Sequence, residues 1–79
     1  MKHPLTKTQS EIRNFIKSFW ETEQRCPSLR EIGAGKLNGK KLIEARKKQT
    51  VHTLIQYIIE KGWLIEDKFK GRTYWRLSD

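Results

Sequence analysis

The chain has 79 residues, enough for one domain with a single small hydrophobic core. Seventeen lysines and arginines against nine acidic residues give a net charge of +8, which favours a polyanionic partner, nucleic acid before an anionic membrane surface. No apolar run is long enough to span a bilayer and no signal-peptide pattern is present, so we expect a cytoplasmic protein.

Residue types that carry catalysis or bind metals are scarce. Cys26 is the only cysteine, so it cannot form an internal disulfide, and no Cys/His cluster accompanies it to hold zinc. A catalytic thiol needs a base nearby, whereas His52 lies on a different predicted element. No carboxylate pair or activated nucleophile stands at a recognisable spacing. We therefore expect no enzymatic activity, no cofactor and no metal.

A capping box marks the start of the first predicted helix. Thr6 is a favoured N-cap residue, and Gln9 follows three residues later. Apolar residues then recur at helical intervals, which predicts a helix over residues 7–22 with a solvated back and no direct role in binding. Residues 1–4, before the cap, are expected to be a frayed end.

A second capping box, formed by Ser28 and Glu31, opens a short helix after a connector that contains Pro27. Gly33 and Gly35 weaken this helix, and they let it end or pack closely near residue 36. Its apolar residues should face the core: Leu29 and Ile32.

Residues 36–48 form a basic segment with six positive residues and one negative residue. Asn38-Gly39 is a turn signal. After it, good helix formers predict a mostly helical or loosely ordered stretch, either a separate helical turn or a forward extension of the next helix.

The third predicted helix, residues 49–61, has two different faces. One is an apolar stripe of Val51, Leu54, Ile55, Ile58 and Ile59. The other is polar without acidic residues, and it carries Gln49, Thr50, His52, Thr53 and Gln56. Gly62 can end the helix in the left-handed conformation. An apolar back, a neutral polar front and a basic run just upstream are typical of a helix that lies in a groove of DNA.

After Gly62 the hydrophobic period changes to two, which indicates strands over residues 63–66 and 72–77 joined by a turn-rich basic loop over 67–71. Such a hairpin is not stable alone, so its apolar face should close the core of the helices. Trp63 with Trp75, or Tyr74 in place of Trp75, should pack there, while Phe69 is expected to be exposed at the tip. Rings of this hairpin stacked on unpaired bases are the alternative.

These elements predict an α+β fold: a winged helix-turn-helix of three helices and a C-terminal β-hairpin wing, with a basic insertion before the third helix. It should occupy residues 1–79 as a single domain.

An ordered set of short matches supports a family resemblance. It consists of Leu5-Thr6, Gln9, Ile12, Phe15-Ile16, Pro27-Ser28, Arg30-Glu31-Ile32-Gly33, Thr50-Val51-His52 and Glu60-Lys61-Gly62-Trp63-Leu64. In this order and spacing the chain resembles, over nearly its whole length, the N-terminal DNA-binding domain of LexA-type repressors. The resemblance implies that the helix beginning near Thr50 enters the major groove and that the hairpin touches the DNA backbone.

The chain departs from the family pattern in two ways. The connection between the second and third helices is longer and richer in lysine and arginine, so the family's operator is not expected to carry over. The family's self-cleaving, dimerising C-terminal domain does not follow the wing, so autoproteolysis is not expected either. We therefore expect a small bacterial, phage or plasmid regulator, associated with the nucleoid in a bacterial host.

The predicted DNA contacts fall into two groups. Phosphates should be contacted by Arg30, Lys40, Lys41, Arg46, Lys47, Lys48, Lys68, Lys70 and Arg72. Bases should be read by Gln49, Thr50, His52, Thr53 and Gln56, with Arg46 or Lys47 reaching guanine if the helix starts early.

The leading hypothesis is thus a sequence-specific regulator of transcription that binds double-stranded DNA. A winged-helix module that binds a host or phage regulatory protein is the alternative. A membrane-surface role ranks lower, because the polar face of the third helix is neutral. The expected partners are double-stranded DNA and either a second copy of the chain or a regulatory protein.

Overall fold

Across residues 2–78, which the computed structural model describes, the chain forms three helices and two antiparallel β-hairpins. The elements follow in the order α1 (Lys7–Glu23), α2 (Leu29–Ala34), β1 (Lys36–Leu37), β2 (Lys40–Lys41), α3 (Lys48–Glu60), β3 (Leu64–Phe69) and β4 (Arg72–Leu77). Three helices with a C-terminal hairpin are the predicted winged-helix arrangement, and this prediction is confirmed.

Both predicted capping boxes form. The hydroxyl of Thr6 accepts a hydrogen bond from the backbone N–H of Gln9, and the Gln9 side chain accepts one from the backbone of Thr6. Ser28 and Glu31 make the same reciprocal pair at the start of α2. Each box satisfies two backbone donors that the first turn of a helix leaves free, which fixes where α1 and α2 begin.

The core lies between α1 and α3 and is closed by the C-terminal hairpin. Its fully or nearly buried side chains are Ile12, Phe15, Ile16, Phe19, Ile32, Ile43, Val51, Ile55, Ile58, Leu64 and Trp75. The Trp20 indole N–H donates to the Trp75 carbonyl at 2.9 Å and ties the hairpin to α1. Of the two alternatives for β4, Trp75 and not Tyr74 is thus the core residue, and Trp63 packs against the core in a half-buried position. Phe69 is 63% exposed near the hairpin tip.

The segment between α2 and α3 differs from the prediction. Asn38-Gly39 does form a turn, but β1 and β2 flank it, and residues 42–47 are not helical. Their backbone bonds to the end of α2 instead, because the N–H groups of Leu42 and Ile43 both donate to the Gly35 carbonyl. Ile43 turns into the core from this non-helical path. A tertiary contact therefore overrides the local helix propensity.

The wing also differs in its turn. We predicted a loop over residues 67–71, whereas β3 continues to Phe69 and only Lys70-Gly71 lie between the strands. Lys70 and Gly71 have φ values of 51° and 76°, so both are left-handed. Two left-handed residues match the twist of paired strands, which lets the ladder run to the tip. Lys68 therefore lies in a strand.

The predicted frayed end is wrong for residues 2–4, while Met1 lies outside the described residues. The backbone N–H of His3 donates to the Lys61 carbonyl at 3.0 Å, and the indole N–H of Trp63 donates to the His3 carbonyl. Lys2 donates from its ammonium group to the Ser78 carbonyl at 2.6 Å. The segment thus joins the end of α3 to the end of the hairpin. None of the described helices is long and apolar enough to cross a membrane.

Candidate nucleic-acid interface

The front of α3 is open to solvent. Gln49, Thr50, His52 and Thr53 are exposed and Gln56 is half-buried, whereas Val51, Ile55 and Ile58 are buried on the opposite side. The helix begins at Lys48, with Lys47 as an N-cap that makes no side-chain capping bond. The predicted division of this helix into an apolar back and a polar, non-acidic front is confirmed.

Three grooves meet beside this front, and Leu29 and Lys48 line all of them. The largest is a cleft of about 770 Å³ between the starts of α2 and α3 and strand β4. It brings together three predicted phosphate contacts from three elements: Arg30, Lys48 and Arg72. Within the described residues, no aspartate or glutamate lines any of the three grooves.

The second groove is a shallow hollow on α3 itself. Its volume is about 430 Å³, its lining is mainly apolar, and its walls are Leu29, Lys48, Gln49, His52 and Thr53. Three of the predicted base-reading residues therefore share one surface with an aliphatic side chain of α2.

The third groove contains Arg46, but this side chain already has protein partners. Its guanidinium lies 3.7 Å from the carboxylate of Glu11 on α1 and donates to the Glu44 carbonyl at 2.9 Å. Only 17% of the side chain is exposed. Arg46 therefore holds the connecting segment against α1, and a contact with phosphate would have to compete with this ion pair.

The remaining predicted contacts lie outside the three grooves. They are Lys40, Lys41, Lys47, Thr50, Gln56, Lys68 and Lys70. Lys41 lies 3.4 Å from the carboxylate of Glu44, and the Lys70 ammonium sits 5.4 Å from the centre of the Phe69 ring. Four of these cations, Lys40, Lys41, Lys68 and Lys70, lie at or near the tips of the two hairpins, whereas Lys47 directly precedes Lys48 as the N-cap of α3.

The acidic residue of α2 is neutralised by an ion pair. The Arg25 guanidinium lies 2.7 Å from the Glu31 carboxylate, and its hydrogen bond lowers the pKa of Glu31 to about 2. Glu31 is therefore ionised at neutral pH but electrostatically compensated, so it adds little negative potential near the cleft.

Cys26 is also part of the cleft wall. Its sulfur accepts a hydrogen bond from the backbone N–H of Trp75 at 3.3 Å, and burial raises the pKa of the thiol. A raised pKa disfavours the thiolate, so these surroundings do not activate Cys26. In the part of the chain that the structure describes, no group of three or more metal-ligating side chains gathers.

Leu29 and Tyr74 are among the residues of this surface that the sequence pattern does not predict. Leu29 packs against the core as predicted, but it is only half-buried and also lines all three grooves. Its position directly after the N-cap Ser28 was the available signal, because the first residue of a helix lies at the surface end. Tyr74 lines the cleft from β4. Alternation places it on the opposite face from buried Trp75.

The fold and this surface define a winged helix-turn-helix domain. No family model matches the chain, and no solved structure matches it significantly. Curated sequences do match: the LexA repressors of Staphylococcus aureus strains USA300 and NCTC 8325 are each 37% identical to it over 75 residues. The LexA repressor of strain Mu3 is 36% identical over 75 residues.

These matches cover 95% of this chain and 33% of each relative. Over 95% of its length the chain is therefore similar to a LexA repressor, and this similarity, together with the winged-helix fold, supports a LexA-like N-terminal domain. It spans about a third of the length of the curated relatives that it matches.

Proposed function

We propose that this domain binds double-stranded DNA and regulates transcription, with the front of α3 in the major groove and the wing on the backbone. In this arrangement the side chains of Gln49, His52 and Thr53 contact base edges. Arg30, Lys48 and Arg72 contact phosphates around them.

The observation that carries the proposal is the charge pattern around α3. An exposed polar helix face without acidic residues lies beside cations from α2, α3 and β4, and no acidic side chain of the described residues lines the grooves between them. A neutral face approaches bases without repulsion, while flanking cations displace the counterions condensed on phosphates.

The residue types of the front also suit the edges of base pairs. A glutamine side chain can bond adenine through two hydrogen bonds, and a neutral histidine can donate or accept one. Gln49 and His52 lie next to each other in the same hollow, so they would read neighbouring positions.

The matched relatives are named repressors. The similarity to this chain covers one domain. It supports a role in which the chain regulates transcription by binding DNA, and not one in which it carries out a chemical reaction on DNA.

Selection of bound sequences from a random duplex pool tests the proposal. The wild-type chain should enrich one motif, and the double variant Gln49→Ala/His52→Ala should enrich a different motif or none. Asn14→Ala, which removes an exposed amide from α1, is the matched control and should enrich the wild-type motif.

Two outcomes would contradict the proposal. If the chain binds duplex DNA but enriches no motif, the claim that it binds a specific sequence is wrong. No duplex binding in moderate salt would instead favour the alternative of a protein-binding module, for which exposed Tyr57 and Phe69 offer contact surface.

A further inference from the structure

We propose that the hollow on α3 receives the 5-methyl group of a thymine and makes this methyl group a determinant of sequence choice. This inference rests on the proposed function, because it names what one part of the DNA-facing surface reads. The observation that supports this inference is an apolar hollow in the middle of the polar face of α3.

The hollow is apolar even though most of the residues around it are polar. Four of its five walls come from α3, namely Lys48, Gln49, His52 and Thr53, yet the surface of the hollow taken as a whole is mainly carbon. Leu29 of α2 supplies the fifth wall with a fully aliphatic side chain. An apolar group placed against this carbon surface would be removed from water, which is favourable.

Thr53 presents a methyl group because its hydroxyl is already used. The hydroxyl donates to the Gln49 carbonyl at 3.1 Å, one turn back along the helix. A threonine bonded in this way keeps little capacity to donate to a base, and its methyl group is left for contact with a ligand.

Thymine is the base whose major-groove edge fits these features. It is the only standard DNA base with a methyl group there, and apolar contact is the usual way in which proteins detect it. The flanking walls, Gln49 and His52, can hydrogen-bond the polar atoms beside the methyl. Nearby Lys48 and Arg30 provide the positive charge that would hold the phosphates of the same strand.

The test replaces each thymine of the selected site, in turn, with deoxyuridine. This change removes only the methyl group and leaves base pairing intact. At one position or more, binding should weaken about fourfold, which corresponds to the loss of one buried methyl-sized group.

Variants of Thr53 then assign the effect to the hollow. Thr53→Val keeps a methyl group and loses the hydroxyl, so it should retain the difference between thymine and uracil. Thr53→Ser keeps the hydroxyl and loses the methyl, so the difference should shrink toward none. Thr22→Ser removes the same group from an exposed position of α1, outside the three grooves, and it should leave the difference unchanged.

The outcomes separate this inference from the function on which it rests. If the chain selects a site but binds thymine and uracil equally at every position, the methyl readout is overturned and DNA binding stands. A selected site without thymine has the same meaning. If no site is selected, the proposed function fails and the methyl readout fails with it.

Discussion

At the scale of single residues, Gly33 and Gly35 decide the path of the chain between α2 and α3. A Cβ atom at Gly33 would lie 2.7 Å from the carbonyl oxygen of Arg46, and one at Gly35 would overlap the carbonyl oxygen of Ile43. Because backbone atoms cannot move aside as a flexible side chain can, both positions require glycine for the connecting segment to pack against α2.

Gly35 and Gly39 offer a matched pair of substitutions. Their φ values are 69° and 78°, so alanine is strained at both, but no atom lies within 4 Å of a Cβ at Gly39. Gly39→Ala should therefore cost only the left-handed strain, about 1–2 kcal/mol. Gly35→Ala should cost about 1–3 kcal/mol more, because the overlap with Ile43 forces the backbone to shift.

Urea unfolding of the two variants measures this difference in the free energy of unfolding. If both lose the same stability, the contact between Gly35 and Ile43 does not hold the segment in place, and the packing argument is wrong.

At the scale of elements, the start of α2 depends on a charged capping box. Glu31 accepts hydrogen bonds from Arg25 and from the backbone of Ser28, and its pKa falls from 4.5 to about 2. A carboxylate whose folded pKa is depressed stabilises the fold above its unfolded pKa. That stabilisation is lost as the pH falls from about 4.5 to about 2.

Glu31→Gln should keep the capping geometry and remove this pH dependence. Because a third of the Glu31 side chain is exposed, solvent weakens the ion pair, and we expect the variant to be less stable at pH 7 by about 1 kcal/mol. The gap should close in acid. Unfolding curves from pH 7 down to pH 2 provide the measurement.

Glu21→Gln on α1 is the control for this prediction. It removes the same charge from an exposed side chain that makes no ion pair among the described residues. Its stability should follow the wild-type pH profile. A Glu31→Gln profile parallel to wild type would show that the ion pair does not stabilise α2.

At the scale of the whole molecule, the distribution of charge matters more than its sum of +8. Lys48 and Arg72 come from elements far apart in sequence and line one cleft, whereas Lys7 and Lys17 lie exposed on α1, which lines none of the three grooves. Electrostatic binding to a phosphate surface should therefore be local to one side of the domain.

The double variant Lys48→Ala/Arg72→Ala should bind duplex DNA more weakly and with a lower salt dependence. Each lost phosphate contact reduces the slope of log affinity against log salt by roughly 0.9, so the slope should fall by about two. Fluorescence anisotropy across a series of salt concentrations measures it.

Lys7→Ala/Lys17→Ala changes the net charge equally and should leave the slope close to wild type. Equal reductions in the two double variants would mean that net charge, and not the cleft, governs DNA binding.

The helices, the wing strands and the two faces of α3 can be predicted from the amino-acid sequence, because these features depend on local signals. Capping residues mark the starts of α1 and α2, apolar residues recur at the helical period, and alternation in β4 separates Tyr74 from Trp75. The helical period also predicts that Thr50, His52 and Thr53 lie exposed on the front of α3.

The path of residues 42–47, the pairing of Arg46 with Glu11 and the place of Leu29 at the meeting point of three grooves are visible only in the folded chain. Each of these depends on a partner in another segment: the Gly35 carbonyl, a carboxylate of α1, or the first turn of α3. Local propensity contains no information about such partners, so a helix former can be held extended and an apolar residue can be kept at the surface.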